Sequence, residues 1–211
     1  MLEFRGQFET HVTVEPRSIH ELISWAEQRG LKCLQIELAR GVAPLQPMLT
    51  WRGTGLLSDQ MDQLKEICTA LRRDGFRVIR SKVEASTSNQ DVPLADDAAT
   101  SGQPARYFEH HVKLLLPGDT DAGSLTDIAV SHQAHLSANA LRQRDDGYHE
   151  RFVTQRCWNV GRRSAQASLN ALLRSLRTAD FNVIDVEAEY VVYDSNQQLD
   201  SGWLIEEESR V

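Results

Sequence analysis

Two stretches of this chain are alike enough to predict an internal repeat, one from about Phe8 to Ala85 and the other from about Tyr107 to Val192. The segment Phe8-Glu-Thr-His-Val-Thr-Val-Glu-Pro16 returns as Phe108-Glu-His-His-Val-Lys-Leu-Leu-Leu-Pro117. The offset between matching positions grows only from 100 residues at the first match to 105 at the last. Because so small a drift is what duplication followed by short insertions leaves, the sequence predicts a tandem duplication of one unit.

The pattern of apolar residues gives each copy the element order β-α-β-β-α-β. In the opening strand Phe8, Thr10, Val12 and Val14 share one face and His11 lies on the other, which is typical of a sheet covered on one side. Two helices on one face of a four-stranded antiparallel sheet make a ferredoxin-like unit. We therefore expect an α+β protein with two ferredoxin-like lobes, whose antiparallel sheets turn their open faces toward each other and line an interlobe groove.

The lobe boundaries follow from a change in composition between the two copies. Residues 86–105 are rich in Ser, Asp, Ala, Pro and Gln and have no apolar period, so they are predicted to form an exposed, flexible linker. Residues 1–85 then make the first lobe, and residues 106–205 make the second lobe with a C-terminal extension.

Charge and composition limit the classes of partner. The net charge of −7 counts against a broad nucleic-acid surface, since affinity for phosphate backbones comes mainly from Lys and Arg. No run approaches the roughly 18 apolar residues of a membrane span, and the start of the chain lacks a signal-peptide pattern. An odd number of cysteines, 3, indicates free thiols. We expect a cytoplasmic protein without a membrane partner, whose open sheet edges or faces are suited to a homodimer.

The uncovered sheet faces are polar, and they carry matched residues in both copies. His11 and His111 are equivalent, and the third strand of each copy adds Thr and Arg. Imidazole exchanges protons near pH 7, hydroxyl groups orient an anion, and guanidinium groups bind oxyanions through paired hydrogen bonds. The set predicts a groove site for an anionic small molecule that carries a phosphate or a carboxylate, with simple solvation of an open sheet as the competing interpretation. Its predicted ligand-binding members are Thr13, Thr50, Arg52, Lys113, Thr154 and Arg156.

The fourth strands carry opposite charges at matched positions. Arg80 and Lys82 in the first copy correspond to Asp185 and Glu187 in the second. One interpretation is that these residues pair when the lobes dock. The other is that they are ordinary solvated charges, since exposed ion pairs contribute little to stability.

A family resemblance rests on His11-Val-Thr-Val14. This segment resembles the His-x-Thr-x motif of the two-histidine phosphoesterases, a bilobal superfamily of cyclic phosphodiesterases and RNA-ligase-like enzymes. The resemblance implies that His11 and His111 act as general base and general acid on a phosphodiester, without a metal. The second motif reads His111-Val-Lys-Leu114, so Lys113 stands where the family has a hydroxyl.

Metal and cofactor sites are not expected. His110-His111 and His132-Gln-Ala-His135 are the available histidine clusters, but their spacing does not fix a ligand pair, and His110 should face away from His111. Three functions remain open: a module that binds an anionic small molecule between the lobes, a metal-independent phosphodiesterase, and a non-catalytic protein-interaction module.

Overall fold

A computed structural model describes residues 3–16, 19–99, 106–118, 120, 122–142, 144–200 and 202. Within them lie eight strands, five α-helices and one 3₁₀ turn. In chain order these are β1 (Arg5–Val14), α1 (Ile19–Glu27), β2 (Lys32–Leu38), β3 (Leu45–Leu56), α2 (Leu57–Arg73), β4 (Val78–Ser86), α3 (Asp96–Ala99), β5 (Tyr107–Pro117), α4 (Ala122–Ser131), β6 (Ala134–Asn139), β7 (Tyr148–Trp158), α5 (Arg162–Thr178), β8 (Val183–Asp194) and the 3₁₀ turn Gln197–Asp200.

The strands confirm an α+β architecture with antiparallel pairing. The order β-α-β-β-α-β occurs twice, and each half arranges its strands in the same way, as β4-β1-β3-β2 and as β8-β5-β7-β6. The two halves do not remain as separate sheets, however. They join through β2–β6 and β4–β8 into one closed eight-stranded barrel.

Because the barrel closes, the groove expected between two lobes is instead the interior of one barrel. Each four-stranded sheet on its own would leave two edge strands with unpaired backbone groups, and pairing edge to edge satisfies those groups. The sheet faces without helices therefore curve around a common axis instead of facing each other across a cleft. The predicted polar faces become the lining of the barrel.

The structure confirms that the apolar residues of the alternating strands lie on the outer face of the barrel, under the helices. Phe8 and Trp51 are buried in the apolar layer under the helices of the first half, and Leu169 and Leu172 of α5 are buried in the corresponding layer of the second half. Both longest helices, α2 and α5, have 17 residues. None of the helices in the described part of the chain is both long and apolar enough to cross a membrane.

The first apolar layer also contains residues of the second half. Phe108 of β5 and Tyr190 of β8 belong to it, with ring centroids 4.7 Å apart. Tyr190 in turn lies 6.0 Å from the ring of Phe4. Because one core contains side chains from both halves, the halves are expected to unfold together.

Part of the predicted linker is packed against the barrel. Asn89 and Val92 are only 8% and 7% exposed, so the expectation of an exposed segment is wrong for them. The Asn89 side chain accepts a hydrogen bond from the Gln7 amide and donates one to the Gln7 carbonyl. Gly6 (φ +143°) makes this close approach possible, since a Cβ there would lie 2.1 Å from Asn89 Oδ1. Residues 100–105 of the predicted linker, and the end of the predicted second lobe at 203–205, lie outside the described residues.

Truncating Phe108 tests the shared core. We expect Phe108→Ala to lower the free energy of unfolding by about 3–5 kcal/mol, because it removes a fully buried ring from a close-packed layer. Urea unfolding followed by both tryptophan fluorescence and circular dichroism measures the change and should show one transition. Leu141→Ala, at a side chain that is 40% exposed, is the control and should change the value by under about 0.5 kcal/mol. Two separate transitions would contradict a core common to both halves.

Candidate binding site inside the barrel

Inward-facing side chains surround a cavity of about 310 Å³. An eight-stranded barrel is just wide enough to hold one small ligand, and this volume falls at the lower end of the range for ligand pockets. Seven of the eight predicted site residues line the cavity: His11, Thr13, Arg52, His111, Lys113, Thr154 and Arg156. The eighth, Thr50, donates a hydrogen bond to Glu9, which lines the cavity.

Both predicted catalytic histidines enter this cavity, and each is held by a neighbouring strand. His11 Nε2 lies 2.5 Å from Glu84 Oε2 on β4. His111 Nδ1 lies 3.0 Å from the Thr154 hydroxyl on β7. The opposite ring nitrogen of His111, Nε2, faces Glu109 Oε1 at 3.3 Å and Glu189 Oε2 at 3.9 Å.

A carboxylate stands between the two histidines. Glu84 contacts His11 directly, and ligand-type atoms of Glu84, His111 and Glu189 all lie within 4.8 Å of one another. The sequence predicted that the histidines share a site, and the structure does bring them to opposite sides of Glu84. It also adds Glu84 and Glu189, which were not predicted as site residues.

The buried cations of the interior are shared between carboxylates. Lys82 Nζ is 2.7 Å from Glu84 Oε1 and 2.9 Å from Glu109 Oε1. Arg156 donates to Glu109 Oε2 at 2.7 Å and to Asp200 Oδ2 at 2.8 Å. Each cation therefore bridges two acids, and Glu109 connects the first half of the barrel to the second.

Asp200, in the 3₁₀ turn after β8, completes the network of buried ion pairs. Arg80 pairs with Asp194 and with Asp200, both at 2.6 Å. Tyr107 donates its hydroxyl hydrogen to Asp194. The predicted docking of Arg80 and Lys82 onto Asp185 and Glu187 is therefore wrong, because nearer carboxylates on β4, β5 and the C-terminal segment take both cations.

Charge pairing decides which interior acids are ionised. Burial by itself would raise the pKa of Glu84, but Lys82 and His11 outweigh burial and hold it below its ordinary value. Burial likewise opposes ionisation of Glu109, and Arg156 and Lys82 overcome it, so its pKa also lies well below the usual range. Glu189 differs, because burial and the charge of Glu84 both raise its pKa.

The other histidines considered for a metal do not converge. His110 is buried on the helix-covered side of the sheet, where it is hydrogen-bonded to Gln155. His132 is hydrogen-bonded to the Ser175 hydroxyl. His135 lines the cavity, and its Nδ1 is 3.1 Å from the Thr154 carbonyl oxygen. Burial, assisted by Arg156, lowers the pKa of His135 to about 3, so its imidazole is neutral.

The guanidinium groups predicted to bind an anion are already occupied. Arg52 lies at the rim with its side chain 72% exposed, and it pairs with Glu9 at 2.8 Å and with Glu187 at 3.0 Å. Thr50 donates to Glu9 as well. Arg156 is bound by Glu109 and Asp200, as described above. An anion at either arginine would have to displace carboxylates. The guanidinium groups of these two residues are therefore not free to donate hydrogen bonds to an anion, although their sequence pattern predicted that they would be.

A different group of cations surrounds a single buried acid. Glu150 at the start of β7 has a side chain that is only 4% exposed. Lys113 Nζ lies 2.9 Å and Arg142 Nε 3.1 Å from its Oε2, and Arg144 Nη1 lies 3.4 Å from its Oε1. Arg144 is also paired with Asp146. We refer to these five residues as the Glu150 cluster, in which three cations meet two carboxylates.

Beside the Glu150 cluster the cavity wall is apolar. Leu34 and Ile36 of β2, Met48 of β3 and Phe152 of β7 line it. Lys113 Nζ lies 5.8 Å from the centre of the Phe152 ring. Thr13 lines the same cavity from β1, opposite Arg80 in the strand register and on a different strand from the Glu150 cluster.

The interior is poorly suited to the chemistry of a two-histidine phosphoesterase. The two imidazoles flank one small region, as acid and base on a single phosphodiester must. That region holds the ionised carboxylate of Glu84, with Glu109 next to it, and like charges would repel a phosphodiester. His11 also uses Nε2 for Glu84. The arrangement favours a positively charged guest at the histidines over a negatively charged one.

Comparison with known proteins finds only distant structural likenesses. No protein-family model matches the chain, and no curated protein does. The acetolactate synthase small subunit from Thermotoga maritima is 11% identical with a TM-score of 0.24, over 92% of this chain and 96% of that chain. A mutant chlorite dismutase from Candidatus Nitrospira defluvii is 14% identical with a TM-score of 0.27, over 90% and 92% of the two chains. Likenesses at this level carry no argument about function.

The buried carboxylate of Asp200 makes the stability of the protein dependent on pH. Burial opposes its ionisation, but Arg80 and Arg156 lower its pKa to about 2, below its ordinary value of 3.8. A depressed folded-state pKa stabilises the fold above the ordinary pKa, and this contribution is lost as the pH falls through the folded-state value. We expect Asp200→Asn to reduce the free energy of unfolding by about 3–5 kcal/mol at pH 7, because two buried guanidinium groups lose a partner.

Urea unfolding at a series of pH values measures this effect. The difference between wild type and Asp200→Asn should shrink between about pH 4 and pH 2, as wild-type Asp200 becomes protonated. Asp62→Asn is the matched control, since Lys65 on the surface of α2 is the one described residue that pairs with Asp62, whose side chain is 71% exposed. A difference that does not change across this interval would show that Asp200 does not stabilise the fold through its charge.

Proposed function

We propose that the protein binds one small anionic, phosphate-bearing molecule inside its barrel. The observation that carries the proposal is the Glu150 cluster at the edge of a partly open cavity with an apolar wall. The anionic group lies against Lys113 and Arg142, and the rest of the molecule lies along the wall formed by Leu34, Ile36, Met48 and Phe152.

Charge supports this position for the anion. Lys113 and Arg142 both line the cavity, and together with Arg144 they have only Glu150 and Asp146 as acidic partners in the cluster. A phosphate can accept hydrogen bonds from an ammonium and a guanidinium at once, and charge-assisted bonds of this kind are the stronger ones. Elsewhere in the interior the buried cations are each bridged by two carboxylates, which leaves less room for a ligand.

The apolar wall supports a ligand that is more than an inorganic ion. Binding cavities commonly combine an apolar lining with a few placed polar groups that fix the orientation of the ligand. A volume of about 310 Å³ admits a molecule with a ring or short chain attached to the phosphate, and contact with the wall would remove its apolar surface from water.

Two further expectations belong to the same proposal. The repeated element order, the repeated strand order and the equivalent positions of His11 and His111 support an origin by tandem duplication. A cytoplasmic location is supported by Cys33, Cys68 and Cys157, which are all free, since disulfides are rare in reducing compartments.

Phenyl phosphate is a suitable probe for the anion site. Isothermal titration calorimetry should show one equivalent bound by wild type, and binding weakened at least about tenfold in Lys113→Met and in Arg142→Met, since each removes a charge-assisted contact. Arg52→Met is the matched control, because Arg52 is already paired with two carboxylates, and it should bind like wild type.

Two comparison compounds separate the contributions of charge and of the apolar wall. Inorganic phosphate should bind more weakly than phenyl phosphate, and benzyl alcohol should not bind measurably. If wild type shows no binding of phenyl phosphate at millimolar concentration, or if Arg52→Met loses as much affinity as Lys113→Met, the proposed site is wrong.

A further inference from the structure

We propose that Glu84, His111 and Glu189 form a binding site for a divalent transition-metal cation in the centre of the barrel. The site is separate from the Glu150 cluster and does not rest on the proposed function. It follows from four observations: the closeness of three ligand atoms, the orientation of the imidazole, a carboxyl group that lacks a partner, and an excess of acids.

The three ligand atoms come from three strands that the barrel brings together. One carboxylate oxygen each from Glu84 on β4 and Glu189 on β8, and one ring nitrogen of His111 on β5, lie within 4.8 Å of one another. Bonds from a cation such as Zn²⁺ to nitrogen and oxygen are about 2.0–2.2 Å long, so the ligand atoms of a bound ion stand roughly 3–3.5 Å apart. Small rotations of the two glutamate side chains toward a central ion would bring the three ligand atoms to that spacing.

His111 is oriented as a metal ligand would be. Its Nδ1 is held by the Thr154 hydroxyl at 3.0 Å. When Nδ1 donates its proton to that hydroxyl, the lone pair of Nε2 points toward the carboxylates. A hydrogen bond to the distal nitrogen is the usual outer-sphere arrangement for a metal-bound histidine, and the bond to Thr154 holds the plane of the His111 ring.

Glu84 has the same kind of outer support. Its Oε2 contacts His11 Nε2 at 2.5 Å, and its Oε1 contacts Lys82 at 2.7 Å. A carboxylate oxygen has two lone pairs, so Glu84 can keep these contacts and still bind an ion. His11 thereby becomes a positioning residue for the ligand Glu84 rather than a ligand itself.

Glu189 is the group whose environment most needs an explanation. Its side chain is only 16% exposed, and the nearest side-chain nitrogen paired with it is Nε2 of His111 at 3.9 Å, which exceeds hydrogen-bond distance. None of the described residues donates a hydrogen bond to it. A largely buried carboxyl group without a donor is costly, and a bound cation would supply the missing interaction.

The charges around the site leave room for a divalent cation. Five carboxylates of the connected interior, those of Glu84, Glu109, Glu189, Asp194 and Asp200, are accompanied by three cations, Arg80, Lys82 and Arg156. With all five acids ionised and with His11 and His111 neutral, the group has two negative charges more than positive ones. One divalent cation offsets that excess, whereas an anion in the same place would increase it.

The ligand types narrow the choice of ion. One imidazole with two carboxylates suits Zn²⁺, Fe²⁺ or Mn²⁺, while Mg²⁺ and Ca²⁺ prefer sites made only of oxygen. We therefore expect Zn²⁺ and Mn²⁺ to bind more tightly than Mg²⁺.

Metal titration of the full chain tests the site. After dialysis against EDTA and then against metal-free buffer, calorimetry with Zn²⁺ and with Mn²⁺ should show one equivalent bound, and elemental analysis should find one ion per chain after dialysis against either metal. Saturating Zn²⁺ should raise Tm by about 5–10 °C at a hundred times its dissociation constant. Glu189→Gln and His111→Gln should each weaken binding by at least about 30-fold, since each removes a direct ligand.

Two control variants separate this site from surface binding. Glu187→Gln removes a carboxylate two positions away on the same strand, and His149→Gln removes an exposed imidazole from another part of the chain. Both should bind Mn²⁺ and Zn²⁺ within about threefold of wild type. Circular dichroism establishes that each variant is folded.

Several outcomes would overturn the proposal. They are an absence of binding to wild type at 100 µM Zn²⁺ or Mn²⁺, wild-type affinity in a folded Glu189→Gln variant, and equal losses in Glu187→Gln and Glu189→Gln. Phenyl phosphate binding is measured on different residues, so failure of the metal site leaves the anion site standing, and the reverse also holds.

Discussion

The interior of this protein depends on Glu109, a carboxylate that is almost wholly shielded from solvent. It receives Lys82 from the first half of the chain and Arg156 from the second, at 2.9 and 2.7 Å. Removing any of the three would leave an uncompensated charge in a low-dielectric environment, which is among the costliest defects in a folded protein. This shared pairing favours one relative position of the two halves and sets His111 beside a fixed negative charge.

The barrel has a polar interior because its apolar packing lies on the outer face of the sheet. The helices supply apolar packing on the outside of the sheet, in two layers, so the inner face is free to carry ionisable groups. Each of the buried cations Arg80, Lys82 and Arg156 contacts two carboxylates, and this network keeps the side chains ordered. The result is a rigid interior with different chemical character in different regions: acidic around Glu84 and Glu189, and basic around Lys113 and Arg142.

Strand alternation was sufficient to predict the inward direction of His11, His111 and Arg156, because a period of two residues assigns every side chain to a face. Closure of the barrel was not predictable, since the pairing of β4 with β8 depends on contacts between elements about 100 residues apart. The partners of Arg80 were missed for a similar reason. Asp194 ends the last strand and Asp200 follows it in a stretch with turn composition, and no local pattern shows that both carboxylates reach Arg80. The Glu150 cluster likewise arises from residues in unrelated loops and strands.

The position of Asp200 after the last strand has a consequence for folding during synthesis. Its partners Arg80 and Arg156 precede it by 120 and 44 residues, so both guanidinium groups leave the ribosome before their shared carboxylate does. A nascent chain can form all eight strands and still lack the last link of its internal charge network. A chain without this turn would keep all eight strands of the barrel and yet bury Arg80 and Arg156 with one carboxylate fewer between them.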